Sequence, residues 1–157
     1  MIKLQRHNSK LFLLIILFFS GVNSFSQSTG DEIIGTWWNQ EKDGQIEIYK
    51  SGSTYSGKLI WMKNQNDPVT GKLLLDKKNP NEKLRGKPLL NSNLMYGFIF
   101  IREDKEWSDG KIYDGRKGKT YKCIIKLNAD STIKVTGYIG ASWMGLGETS
   151  IWTRKNN

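Results

Sequence analysis

Three observations predict an all-β fold, a closed antiparallel up-and-down barrel of about eight strands with one long loop excursion. From Ile33 onward apolar residues recur with a period of two rather than 3.6. Turn signals divide these runs at spacings of about 8–12 residues, the rhythm of a sandwich or barrel. The two ends of the meander match, with Gly35-Thr36-Trp37 starting the first run and Trp152-Thr153-Arg154 finishing the last. A meander of short strands leaves open edges unless it closes. Closure makes the first and last strands neighbours, and Arg154 can then stack its guanidinium on the Trp37 ring.

The expected strands are 34–41, 45–51, 54–63, 94–101, 110–114, 119–128, 131–139 and 147–154. Ile46 and Ile48 alternate with Gln45, Glu47 and Tyr49. Tyr55, Leu59 and Trp61 share a face with Gly57. Tyr121, Cys123, Ile125 and Leu127 oppose Lys122 and Lys126, with Ile124 the exception. Ile133, Val135, Gly137 and Ile139 oppose Lys134, Thr136 and Tyr138. The boundaries are Asp43-Gly44, Ser51-Gly52, Asp109-Gly110, Asp114-Gly115 and Asn128–Asp130, since Asp-Gly takes the positive φ of tight hairpin turns. Residues 64–93 break the rhythm. They hold all three prolines and many Asn, Asp and Lys, and read as one long excursion. A short strand near 72–76 and a helical turn near Asn81–Arg85, after Asn79-Pro80, are expected within it.

Composition fits one domain of 157 residues. Six Trp, six Tyr and six Phe are too many aromatics for a disordered chain. Residues 1–26 read as a signal peptide. Lys3, Arg6 and Lys10 precede the apolar run Leu11–Phe19, and Ser24-Phe25-Ser26 supplies a small-residue cleavage site before Gln27. Nine apolar residues reach only ~14 Å as helix, against a bilayer core of ~30 Å. No stable membrane span is expected after cleavage. The expected mature chain, 27–157, is a single β-barrel domain of net charge +6, because the whole chain carries +9 and the leader takes three cations. The expected location is periplasmic or secreted.

The single histidine, His7, lies in that leader. A mature chain without histidine has no Ser-His-Asp triad, no Cys-His pair and no imidazole zinc site, and lone Cys123 makes neither a disulfide nor a thiolate cage. No cofactor, metal site or catalytic residue is therefore assigned. Paired carboxylates such as Glu47 and Glu148 survive this filter without a positive signature. No nucleic-acid motif is present, and an exported chain makes nucleic acid an unfavoured partner.

The paired Gly-x-Trp and terminal Arg resemble the calycin barrels, the lipocalin- and avidin-like group, although no helix is expected after Arg154. From Ile34 to Arg154 the chain also resembles an uncharacterised bacterial secreted family known as domain of unknown function 2147. Its carrying residues run in order: Gly35-Thr36-Trp37, Asp76, Asn79-Pro80, Leu84-Arg85, Trp107, Gly110–Asp114, Gly118–Tyr121, Gly137–Gly140 and Trp152–Arg154. Gly115 stands where the family pattern suggests a proline, and Asp-Gly turns equally well. The resemblance implies an envelope location and a lipocalin-like barrel, with no settled activity.

The ligand-binding candidates are Trp61, Tyr113, Tyr121 and Tyr138 as cavity aromatics, with Asp76, Asn79 and Arg85 as a polar lip from the excursion. Trp37 and Arg154 are assigned to the structural seam. Trp143-Met144-Gly145-Leu146-Gly147 reads as an apolar rim loop, and Arg116–Lys119 with Lys77-Lys78 as a basic cluster. The expected function is non-catalytic binding of a small apolar or amphipathic ligand in the barrel. Two other readings stay open: an envelope adaptor with a filled core, and a carboxylate-based hydrolase. Oligomeric state is not assigned.

Overall fold

Eight antiparallel strands follow one another around a closed barrel in chain order. They are β1 (Gly35–Trp38), β2 (Gly44–Ser51), β3 (Thr54–Met62), β4 (Asn93–Ile101), β5 (Glu106–Asp114), β6 (Lys119–Leu127), β7 (Ile133–Tyr138) and β8 (Gly147–Arg154). The computed structural model describes residues 29–141 and 145–155, so all eight strands lie inside it. The expected signal segment 1–26, and Trp143 and Met144 of the expected rim loop, lie outside the described residues.

The barrel closes through Trp37↔Arg154 and Trp38↔Thr153 between β1 and β8. The Arg154 guanidinium lies 4.3 Å from the centre of the Trp37 ring. It also donates hydrogen bonds to the carbonyls of Ile34, at 2.8 Å, and Glu32. The Trp37 indole N–H donates to the Ile33 carbonyl at 2.8 Å. Gly35 has φ 137°, and a Cβ there would strike the Arg154 guanidinium. A residue without a side chain is what lets the cation reach the ring.

One end of the barrel is filled. A 3-10 turn, Asp31–Ile33, crosses this base and buries Ile33 completely. The Trp107 indole N–H donates to the Gly30 carbonyl at 2.9 Å, and Phe100 packs on the Trp107 ring. Trp37, Ile48, Phe98, Ile125 and Ile133 complete this core. Alternation along β1, β2, β6 and β7 aims Trp37, Ile48, Ile125 and Ile133 inward, and Phe98 follows buried Met95 by three residues across Gly97, whose φ is 78°.

The register shifts within the β2–β3, β3–β4 and β5–β6 pairings, and two of these irregularities re-aim residues the sequence placed elsewhere. Asp109-Gly110, expected as a turn that starts a strand, sits inside β5. The strand begins at Glu106, and its register shifts between Trp107 and Gly110, where Asp109 takes φ 59°. Asp tolerates this left-handed conformation, so the dipeptide makes a bulge instead. Gly110 lies against the Phe98 ring, where a methyl would collide. The reversal between β4 and β5 is made by Arg102–Lys105. In β3, Gln45 opposes Trp61 while Ile46 opposes Leu59, leaving Ile60 as an extra residue. That extra residue reverses the face of everything after it.

The excursion between β3 and β4 is pinned by isolated bridges at Asn66↔Leu73 and Leu75↔Pro88. These replace the short strand expected near 72–76. A 3-10 turn, Glu82–Leu84, follows Pro80, and the Asn81 side chain caps it by accepting from the Lys83 N–H at 3.1 Å.

Candidate functional site

The hairpin directions set the two ends of the barrel. The β1–β2, β3–β4, β5–β6 and β7–β8 connections gather at the end opposite the filled base. Beneath them opens a cavity of about 730 Å³. That volume lies within the range of small-molecule sites. Its walls are inward residues of successive strands, among them Ile46, Leu59, Ile112, Tyr121 and Val135, and its floor includes Trp152. Gly137 faces Ile112 and Tyr121, where a side chain would otherwise occupy the space. Met62, Leu74, Leu89 and Leu94 continue the apolar wall toward the excursion.

The rim is polar and mixed in charge, with Glu41, Asp43, Lys63, Asp114, Arg116 and Glu148. Lys117 stands 3.7 Å from Asp114 and 3.8 Å from Glu148, linking the β5–β6 turn to β8 at the mouth. An apolar chamber under a charged rim suits a ligand with an apolar body and a polar end.

The excursion is tied down through Asp76, which is buried. Its carboxylate accepts from the Tyr113 hydroxyl at 2.6 Å and from the Asn79 side-chain amide at 2.6 Å. Burial, and then the Asp76 carboxylate, raise the Tyr113 phenol well above its ordinary value, so Tyr113 stays a donor at physiological pH. A second hollow of about 430 Å³ lies here, lined by Asp76, Asn79, Pro88 and Tyr113. Arg85 donates to the Asn79 carbonyl at 2.8 Å and to Glu82 at 3.0 Å.

The candidates named from sequence thus separate. Tyr121 lines the main chamber and Tyr113 borders both hollows, whereas Tyr138 only borders the chamber's edge, its side chain on the outer face of β7 opposite Gly137 and paired with Lys122. Asp76 and Asn79 belong to the smaller hollow, where they brace the excursion. Arg85 lines neither and stays within the excursion. Trp61 is turned out of the chamber by the Ile60 bulge and meets Trp38 edge-on, ring centres 5.2 Å apart. Leu59, Met62, Leu94 and Ile112 carry much of the wall and were not singled out as site residues. Leu59 and Ile112 carried the ordinary signal of strand alternation, whereas Met62 faces the chamber only because of the Ile60 bulge.

Glu47 pairs with Lys58 at 3.4 Å and is not part of the cavity wall, whereas Glu148 sits at the rim. The two strand acids therefore do not share a pocket. Among the described residues no group of three or more His, Cys, Asp or Glu side chains is placed to hold a metal. Burial pushes the Cys123 thiol up to about 12.

A closed eight-strand barrel, filled at one end and hollow at the other, defines the class as lipocalin-like. The chain belongs to a family described as an uncharacterized protein conserved in bacteria, DUF2147, which matches residues 35–154. In structure it is similar to protein HP1028 from the human pathogen Helicobacter pylori, described as belonging to the lipocalin family. The two share 23% identity over 79% of this chain and 83% of that one, with a TM-score of 0.66. At that identity the likeness speaks for the fold. A search of curated proteins found no match.

Proposed function

We propose that this barrel binds a small apolar or amphipathic molecule in its main chamber. The observation that carries the reading is the apolar cavity of about 730 Å³, open at the mouth and floored by the aromatic base. An apolar chain would leave water for the walls of Ile46, Leu59, Ile112 and Val135, gaining roughly 25 cal/mol per Å² buried. A polar end would rest among the rim charges. Tyr121 offers a phenol group to a ligand, while Tyr113 is already engaged by Asp76.

The test is titration of the chain from Gln27 onward with a fluorescent fatty-acid analogue, followed by displacement with unlabelled fatty acids of graded length. Saturable one-to-one binding with displacement that depends on chain length is expected. Absence of saturable binding across the series would contradict the reading. We further propose that residues 1–26 direct export and are removed. N-terminal sequencing of the protein from the cell envelope or medium should begin at Gln27; an intact Met1 would contradict removal, and absence of the protein from both fractions would contradict export.

A further inference from the structure

Charge is distributed unevenly between the ends of the barrel. The mouth segments 39–43, 63–92, 114–119 and 145–148 carry eleven Lys or Arg against seven Asp or Glu. The base segments 29–34, 50–54, 101–106, 127–132 and 154–155 carry five against six. The excursion alone supplies seven cations against three acids. Lys78 ties this basic loop to the β5–β6 turn by donating to the Arg116 carbonyl at 2.7 Å. The cations of the two segments therefore adjoin at one edge of the mouth.

The same end presents exposed apolar side chains. The hairpin at 65–74 is rooted on the rim through Asn64 and Leu74, which line the chamber, and its tip carries Val69, 90% exposed. On the β7–β8 connection, Ile139 is 65% exposed and Leu146 60%, held together by Ile139 N–H donating to the Leu146 carbonyl at 3.0 Å. In a closed ring of eight strands the β3–β4 and β7–β8 connections lie four strands apart, on opposite sides of the mouth. Apolar tips thus flank the opening, with a basic edge between them on the β5–β6 side.

We propose that the mouth end docks on an anionic lipid surface. The charge is complementary to such a surface, where each nearby Lys or Arg adds about a fivefold gain in binding. Val69, Ile139 and Leu146 are placed to enter the headgroup layer, as small apolar groups beside cations do at membrane interfaces. The docked orientation aims the chamber at the lipid, so an apolar molecule passes between bilayer and barrel without crossing open water. Docking itself does not depend on what the chamber holds.

Sedimentation with vesicles of phosphatidylcholine alone, or with 30% phosphatidylglycerol, tests this on the chain from Gln27 onward, which contains the whole barrel. Binding to the anionic vesicles, and its loss in high salt, are expected. Lys72→Gln/Lys77→Gln/Lys119→Gln should weaken it about tenfold or more, and Val69→Glu at least threefold. Lys105→Gln, at the base, should leave it unchanged within twofold. Equal binding to both vesicle types, no binding to either, or an equal loss from Lys105→Gln would each overturn the proposal. The fluorescent fatty-acid titration on the same variants separates the two ideas. None of the substituted residues lines the chamber, so ligand affinity should persist where docking is lost.

Discussion

Arg154 shows how much one side chain can settle. Its fork spans the Glu32 and Ile34 carbonyls while its face lies on Trp37. A lysine keeps the charge and loses the planar fork. Arg154→Lys should therefore cost about 1–3 kcal/mol in denaturant unfolding, and an unchanged midpoint would deny the seam its role. Asp31 works at the same end. Lys50 at 2.8 Å and the Tyr55 hydroxyl at 2.6 Å hold its carboxyl below the ordinary carboxylate range. A lowered folded pKa means stability that is present above about pH 4 and is lost as pH falls through the folded value. Asp31→Asn should flatten that acid limb in unfolding curves between pH 2 and 6. Cys123 is fully buried with its thiol pushed up to about 12. Iodoacetamide should label it slowly in the native protein and rapidly in urea, and fast native labelling would contradict its burial.

At the scale of elements, period-two patterning made the strands legible, and seven of the eight expected starts fall within two residues of those found. The exception is β5, where Asp109-Gly110 forms a bulge. A dipeptide suited to positive φ serves a turn or a bulge equally, and only pairing with β6 decides between them. Trp61 shows the same limit: strict alternation put it inside, and the single extra residue at Ile60 put it outside. Asp76, Asn79 and Arg85 were visible as a local polar cluster. The partner that makes Asp76 an anchor, Tyr113, is 37 residues away and needs the fold to bring it close. Tyr113→Phe should leave that buried carboxylate one donor short, cost about 1–3 kcal/mol, and speed proteolytic nicking within 64–92. Because the Tyr113 pKa is raised, its stabilisation is present below the ordinary phenol value and is lost as pH rises past about 10. The variant should show a shallower alkaline limb, and an equal limb would remove Tyr113 from the bracing of the excursion.

For the whole molecule, the closed barrel was legible because both seam residues stand at the ends of the periodic region. Whether its interior is filled was not, because aromatics of one composition can plug a barrel or line it. The fold divides them. Trp37, Phe98, Trp107 and Trp152 form or floor the base, while Tyr121 remains beside open space. Gly137 contributes by what it lacks, since an added Cβ meets Ile112 at an ordinary 3.5 Å and a longer side chain would extend into the chamber. The most direct measurement compares Gly137→Leu with the natural chain in the fluorescent fatty-acid titration, with melting temperature recorded alongside. The plugged barrel should stay folded and lose at least tenfold in affinity. Undiminished binding in a folded Gly137→Leu protein would mean that the ligand never enters the barrel.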